Sequence, residues 1–154
     1  MDNLKILLPY NFTDLDQKAL EFVSRTFAHS QAAEVTLFNV FIPTPTISTQ
    51  NNPVMKKMQE NIAYMNRLIA EQEEALDKAR DSLVLNGFAE SHVKIIFKPI
   101  HKSVAGHIIE TAANEEYDVV VINRKQGRIG RFFTTSVFNK VITGLKDITV
   151  CIVT

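Results

Sequence analysis

The chain has 154 residues, 45% hydrophobic and 22% charged, with zero net charge when the histidines are neutral. That length suits one domain with a real hydrophobic core. Balanced charge excludes a domain-wide nucleic-acid surface, which would be basic overall, so any electrostatic recognition must be local. No stretch approaches the length of a membrane span, and the opening "MDNLKILLPYNF" is too short for a secretory signal, so the expected setting is cytoplasmic, with neither membrane nor nucleic acid as partner.

The first apolar run is "LKILLP" (4–9), followed over 14–28 by Leu15, Ala19, Phe22, Val23 and Phe27 on one helical face. "EVTLFNVF" (34–41) is the second run, and the loop "IPTPTISTQNNP" (42–53) follows it. From Val54 to Asn86 there is no Pro or Gly, and Met55, Met58, Ile62, Met65, Ile69, Leu76, Ala79 and Leu83 recur at spacings of three and four, with one gap at Gln72. A helix of that length would be near 50 Å, against about 20 Å for a six-residue strand. Part of it therefore overhangs the sheet, or a break interrupts it. The stripe reads first as core packed on the sheet. The alternative is that overhanging Met-rich turns, with the loop before them, offer an adaptable surface to an unidentified protein partner. Residues 42–60 read either as a lid or as part of this helix.

"HVKIIF" (92–97) is the third run; Val104, Ile108, Ile109 and Ala112 mark a helix over 103–116. "DVVVIN" (118–123) is the fourth, a helix with Val137, Val141 and Leu145 spans 135–145, and "ITVCIVT" (148–154) is the fifth. Most of these runs are continuous rather than alternating, which marks strands covered on both faces. Strand and helix alternate throughout, so the expected fold is α/β, a doubly wound five-stranded parallel sheet with right-handed crossovers.

In such a sheet a ligand binds beyond the carboxyl ends of the strands, where the strand order reverses. With the first strand central, "PYNFT" (9–13) meets "NRKQGRIG" (123–130), and Asn39 and Val40 end the second strand next door. The candidate crevice is lined by Pro9, Tyr10, Asn11, Val40, Ile122, Asn123 and the loop through Ser136 and Val137. Asn11 would face a base or other polar group, while Val40 and Ile122 would form apolar walls. Arg124, Lys125, Arg128 and Arg131 are positive, with no acid between Asp118 and Asp147. Gly127 and Gly130 allow backbone N–H groups to turn toward an anion. Thr134, Thr135 and Ser136 can cap the next helix, whose free amides suit a phosphate. Each feature also has an ordinary explanation: a solvated basic loop, a common G-x-x-G, a helix cap.

Other candidates reduce to structure. His101 and His107 are six apart, expected on different helix faces, and with His29 and His92 they form no metal set. Ser136 sits in no nucleophile elbow. Glu71, Glu73 and Glu74 read as a solvated face, and Cys151 as packing. No residue pair argues for catalysis.

"KILLPYNFTDLDQKALEFV", "AEVTLFNVF" and "DVVVINRKQGRIGRFFTTSVFNKVI" together resemble the universal stress protein family over nearly the whole chain. The resemblance implies a Rossmann-like sheet of the adenine nucleotide alpha hydrolase-like kind, in the order 3-2-1-4-5. ATP-binding members resemble one another in a G-x-x-G-(nine residues)-G-[ST] loop after the fourth strand and an Asp after the first. Aligned on the strand end, the three glycines fall on Asn123, Gln126 and Thr135, and the Asp falls on Asn11. Gln and β-branched Thr visit the left-handed region poorly. A register placing Gly127 and Gly130 on the first pair leaves too little chain before Ser136. The resemblance thus implies a stress-response binding module with ATP binding weakened or lost, not an enzyme. The rival is a sensor of ATP, AMP or another anion, held by side-chain charge in a remodelled loop. A slow phosphohydrolase has no base or metal ligand to name. Ile148, Thr149, Val150, Cys151, Ile152 and Val153 form an uncharged strand at the sheet edge, which needs cover. In the resembled family this strand pairs with its copy, so a homodimer is expected.

Overall fold

The computed structural model describes residues 2–46, 52–124 and 135–154, the first two of the last stretch by backbone alone. Its strands are Leu4–Pro9 (β1), Ala33–Phe41 (β2), Val93–Pro99 (β3), Val119–Asn123 (β4) and Thr149–Val153 (β5). Between them run helices Asp14–Phe27 (α1), Pro53–Leu85 (α2), Val104–Asn114 (α3) and Thr135–Gly144 (α4). The sheet has the order β3-β2-β1-β4-β5, and every neighbouring pair is parallel.

Alternation along the strands explains the continuous apolar runs. Successive side chains point to opposite faces, and both faces are covered. Ile6, Leu8, Val35, Leu37 and Val121 pack with Ala19, Leu20 and Val23 of α1 and Leu76, Ala79 and Leu83 of α2. Leu7, Phe38, Val120 and Ile122 face the other way, onto Ala105, Ile108 and Ala112 of α3 and Val141 of α4.

Helix α2 runs unbroken for 33 residues. Asn52 caps its start by accepting the Met55 amide at 2.8 Å, and Pro53 opens the first turn. Residues 53–60 are therefore helix. At the other end Gly87, with φ of 122°, closes the helix: its N–H reaches the Val84 carbonyl and that of Phe88 the Leu83 carbonyl. That is the pattern for which a left-handed glycine is favoured. The buried residues of α2 are Leu76, Ala79 and Leu83 alone, while Val54, Met58, Tyr64 and Leu68 are exposed. So the stripe is core only at its carboxyl-terminal end. The rest overhangs, because the sheet is much shorter than the helix. Thr44 in the segment after β2 donates to Asn66 at 2.9 Å, fastening that segment along the overhang.

One expectation is corrected. His101 lies in the turn before α3, so a six-residue spacing does not separate it from His107. The rings meet edge to face at 4.5 Å, and the His101 N–H donates to His107 Nε2 at 3.2 Å. Burial, with His101, Lys98 and Lys102 nearby, holds the His107 pKa below its ordinary value. Among the described residues no group of three His, Cys, Asp or Glu could hold a metal, and no helix is long and apolar enough to cross a membrane.

Burial along α2 predicts a sharp contrast. Leu76→Ala should cost about 2–5 kcal/mol, as a fully buried leucine does. Met58→Ala should cost less than about 1 kcal/mol, as a surface change does. Urea denaturation of the two variants measures both, and equal losses would contradict the overhang.

Candidate functional site

The site grows from the exit of β1. Tyr10 prolongs the ladder to β2: its N–H donates to the Phe38 carbonyl at 2.9 Å, and its own carbonyl accepts from Asn39 Nδ2 at 2.8 Å. The chain then turns sharply, with Phe12 at φ of 61°. A non-glycine residue in that left-handed region costs about 1–3 kcal/mol, so its surroundings must impose it. Two features do so. The Tyr10 and Phe12 rings meet edge to face at 5.3 Å. Asp16 Oδ2 takes the amides on either side of Phe12, from Asn11 at 3.1 Å and Thr13 at 3.2 Å.

Thr13 and Asp16 also form a capping box. The Thr13 hydroxyl donates to Asp16 Oδ2 at 2.7 Å and accepts the Asp16 amide at 3.2 Å. The other carboxylate oxygen, Oδ1, accepts from Asn123 Nδ2 at the end of β4. Asp16 is fully buried, and Asn123 is 7% exposed. Burial raises the Asp16 pKa above the ordinary carboxylate value, against the hydrogen bonds from Thr13, Asn11 and Asn123 that favour the charged form. Sequence reasoning did not single out Asp16. The Thr-x-x-Asp spacing at 13–16 was the available signal, but it reports only the cap.

Beside this turn lies a cavity of about 330 Å³ over the carboxyl ends of β1, β2 and β3. Pro9, Tyr10 and Asn11 form one wall, Phe38 to Ile42 another, and Ile100, Val104 and Ile108 a third, while Gln72 reaches it from α2. Four expected residues, Pro9, Tyr10, Asn11 and Val40, therefore come together. Ile122 and Asn123 are not in the cavity wall: Ile122 packs with α3 and α4, and Asn123 is tied to Asp16. Arg124 is exposed, its guanidinium 5.6 Å from the Phe138 ring, and its N–H donates to the Val153 carbonyl at 2.8 Å. Thr135 and Ser136 start α4, and Val137 packs against the core on the α3 and α4 face. Lys125, Gln126, Gly127, Gly130 and Arg131 lie outside the described residues. The walls from Gln72, Ile100, Val104 and Ile108 were missed; the gap in the α2 stripe at Gln72 was the one hint.

Asp16→Asn keeps volume but turns one acceptor into a donor facing N–H groups, so it should destabilise the fold by about 1–3 kcal/mol. Because the folded-state pKa of Asp16 is raised, its share of stability is full below the ordinary carboxylate pKa and declines as pH rises through the folded value. In urea denaturation, wild type should thus exceed Asp16→Asn by most at about pH 4, and by less at neutral pH. A margin that widens with pH would overturn this account.

Comparison with known proteins agrees with the geometry. The family model of the universal stress protein family matches residues 3–150. The fold is similar to that of MJ0577, a hypothetical protein whose biochemical function was assigned from its structure, at 23% identity and TM-score 0.70, over 99% of this chain and 96% of that one. It is also similar to the universal stress protein UspA from Lactobacillus plantarum, at 15% identity and TM-score 0.67, over 100% and 99% of the two chains. A universal stress protein from Archaeoglobus fulgidus in complex with dAMP is similar at 14% identity and TM-score 0.62, over 100% and 98%. No curated protein matches significantly in sequence. With its family model matched over residues 3–150 and its strands in the order β3-β2-β1-β4-β5, this chain belongs to the universal stress protein family.

Proposed function

We propose that the chain is a homodimeric binding and signalling module of the stress response, which seats a ring in its crevice and has a weakened hold on a triphosphate. The observation that carries this is the use already made of the end of β4. Where the resembled ATP loop opens with a glycine, Asn123 is buried and bonded to Asp16, and the next amide, of Arg124, is spent on the Val153 carbonyl. Main-chain donors engaged in this way do not wrap phosphates. Turnover has no support either, since no base stands beside a nucleophile in the cavity wall.

A second reading, a sensor of an adenine nucleotide or another anion, is favoured by the apolar cavity beside Asn11 and by the dAMP held by the Archaeoglobus fulgidus protein. Here Arg124 would meet the phosphate as a side-chain charge. Isothermal titration with ATP, ADP and AMP separates the two. A weakened grip means that ATP binds no tighter than AMP; ATP at least tenfold tighter would overturn it, about 1.4 kcal/mol of extra hold. Loss of AMP heat in Arg124→Ala would favour the sensor.

For the dimer, the support is β5. It is an edge strand hydrogen-bonded to β4 alone among the described strands, without charge, and with Ile152 48% exposed. An edge of this kind is covered most simply by its own copy about a two-fold axis. Sedimentation should give a dimer for wild type and a monomer for Ile152→Lys. A wild-type monomer at high micromolar concentration would refute the assignment.

A further inference from the structure

The turn between β3 and α3 is held by an imidazole. Its two ends are anchored without one: the Ile100 N–H donates to the Phe41 carbonyl at 2.8 Å, and the Ser103 hydroxyl accepts the Gly106 amide at 3.0 Å. His101 and Lys102 lie between these anchors. Among the described residues, the main chain of this pair makes one hydrogen bond, from the His101 N–H to His107 Nε2 at 3.2 Å. The pair lies close on the helix start, since a methyl group on Gly106 would come within 3.2 Å of the Lys102 side chain.

His107 is 1% exposed, and its role fixes its protonation state. To accept at Nε2 that nitrogen must be bare, so the neutral ring carries its proton on Nδ1. Nδ1 is buried without a partner. A buried donor left unpaired is costly and calls for a reason. Here one nitrogen stays an acceptor for the turn while the other goes unsatisfied. A second proton would gain no acceptor, and it would set Nε2–H against the His101 N–H, donor facing donor. The charged and titratable groups beside the ring oppose it too: Lys98 from β3, and His101 and Lys102 from the turn. Glu110 of α3 is already paired with Lys102.

We propose that His107 is an acid-sensitive latch: as a neutral acceptor it holds the His101–Lys102 turn against α3, and on protonation it releases that turn. Opening stays local, because neither anchor involves an imidazole. It reaches the cavity through Ile100, the wall residue that precedes the turn. A histidine kept neutral by the fold contributes fully above the ordinary imidazole value of about 6.5, and the contribution is lost as pH falls through the lower folded value. The turn is therefore closed at neutral pH and opens on acidification.

NMR of the wild-type protein between about pH 8 and about pH 5 tests this. At the neutral end the His107 ring should carry its proton on Nδ1, and the His101 amide should be protected from hydrogen exchange. As His107 titrates, that protection, taken relative to an unstructured peptide at the same pH, should fall about tenfold or more while the Ile100 amide stays protected. His101→Ala keeps the main-chain donor without the ring, so it should keep the pH step. His107→Gln offers an acceptor that does not titrate, so the His101 amide should stay protected throughout; if that variant does not fold, the wild-type and His101→Ala measurements decide. A neutral ring protonated on Nε2, or a His107 titration that leaves the His101 amide protected, would overturn the latch. So would a step that vanishes in His101→Ala or persists in folded His107→Gln, or loss of protection at Ile100 before His107 titrates.

Discussion

One buried carboxylate organises the functional end of this molecule. Asp16 takes three donors from the β1–α1 turn and a fourth from Asn123 at the end of β4. Without those bonds its charge could not stay buried, because a lone ion in the interior costs several kcal/mol. With them it spans the seam where the strand order reverses. The turn it holds is the one that sets Phe12 in the left-handed region and presents Tyr10 and Asn11 to the cavity. Capping, the turn and the seam are one interaction seen from three elements.

That closure sets the cavity apart from the place where the strand order reverses. The rule for doubly wound sheets points to the gap between β1 and β4. In this chain Asp16 ties the β1–α1 turn to the end of β4 there, and among the described residues the cavity lies to the other side, over β1, β2 and β3. Its walls come from both layers: α2 contributes Gln72, the β3–α3 connection Ile100, and α3 Val104 and Ile108. The cavity and the basic stretch beyond Arg124 are thus separate problems. The first is built from packed side chains, whereas the second depends on a basic loop beyond Arg124.

Two surfaces remain open for different physical reasons. Helix α2 is simply longer than the sheet it covers, so none of the side chains of its early turns is fully buried. β5 is an edge because the order places it last, and its donors and acceptors on one side have no neighbour among the described strands. Their composition differs accordingly. The overhang mixes Met58, Tyr64 and Leu68 with charged residues, as a solvated helix does, while Thr149–Val153 carries no charge to discourage pairing.

Local pattern alone determined the five strands, the four helices and the coverage of both sheet faces, because a side chain's periodicity records whether its surroundings are oil or water. The resemblance in three stretches then carried the order of the strands. The rule for doubly wound sheets placed Pro9, Tyr10, Asn11 and Val40 together, since each ends a strand or begins the turn after one. Tertiary structure decided what each face meets. Asp16 and Asn123 are 107 positions apart, and nothing in either neighbourhood names the other. His101 joined His107 because the turn before α3 folds back beside the helix, which a spacing counted along one helix does not show. Gln72 looked like a flaw in a stripe until a cavity was found beneath it. A period tells which way a side chain points; only the packed chain supplies what stands opposite.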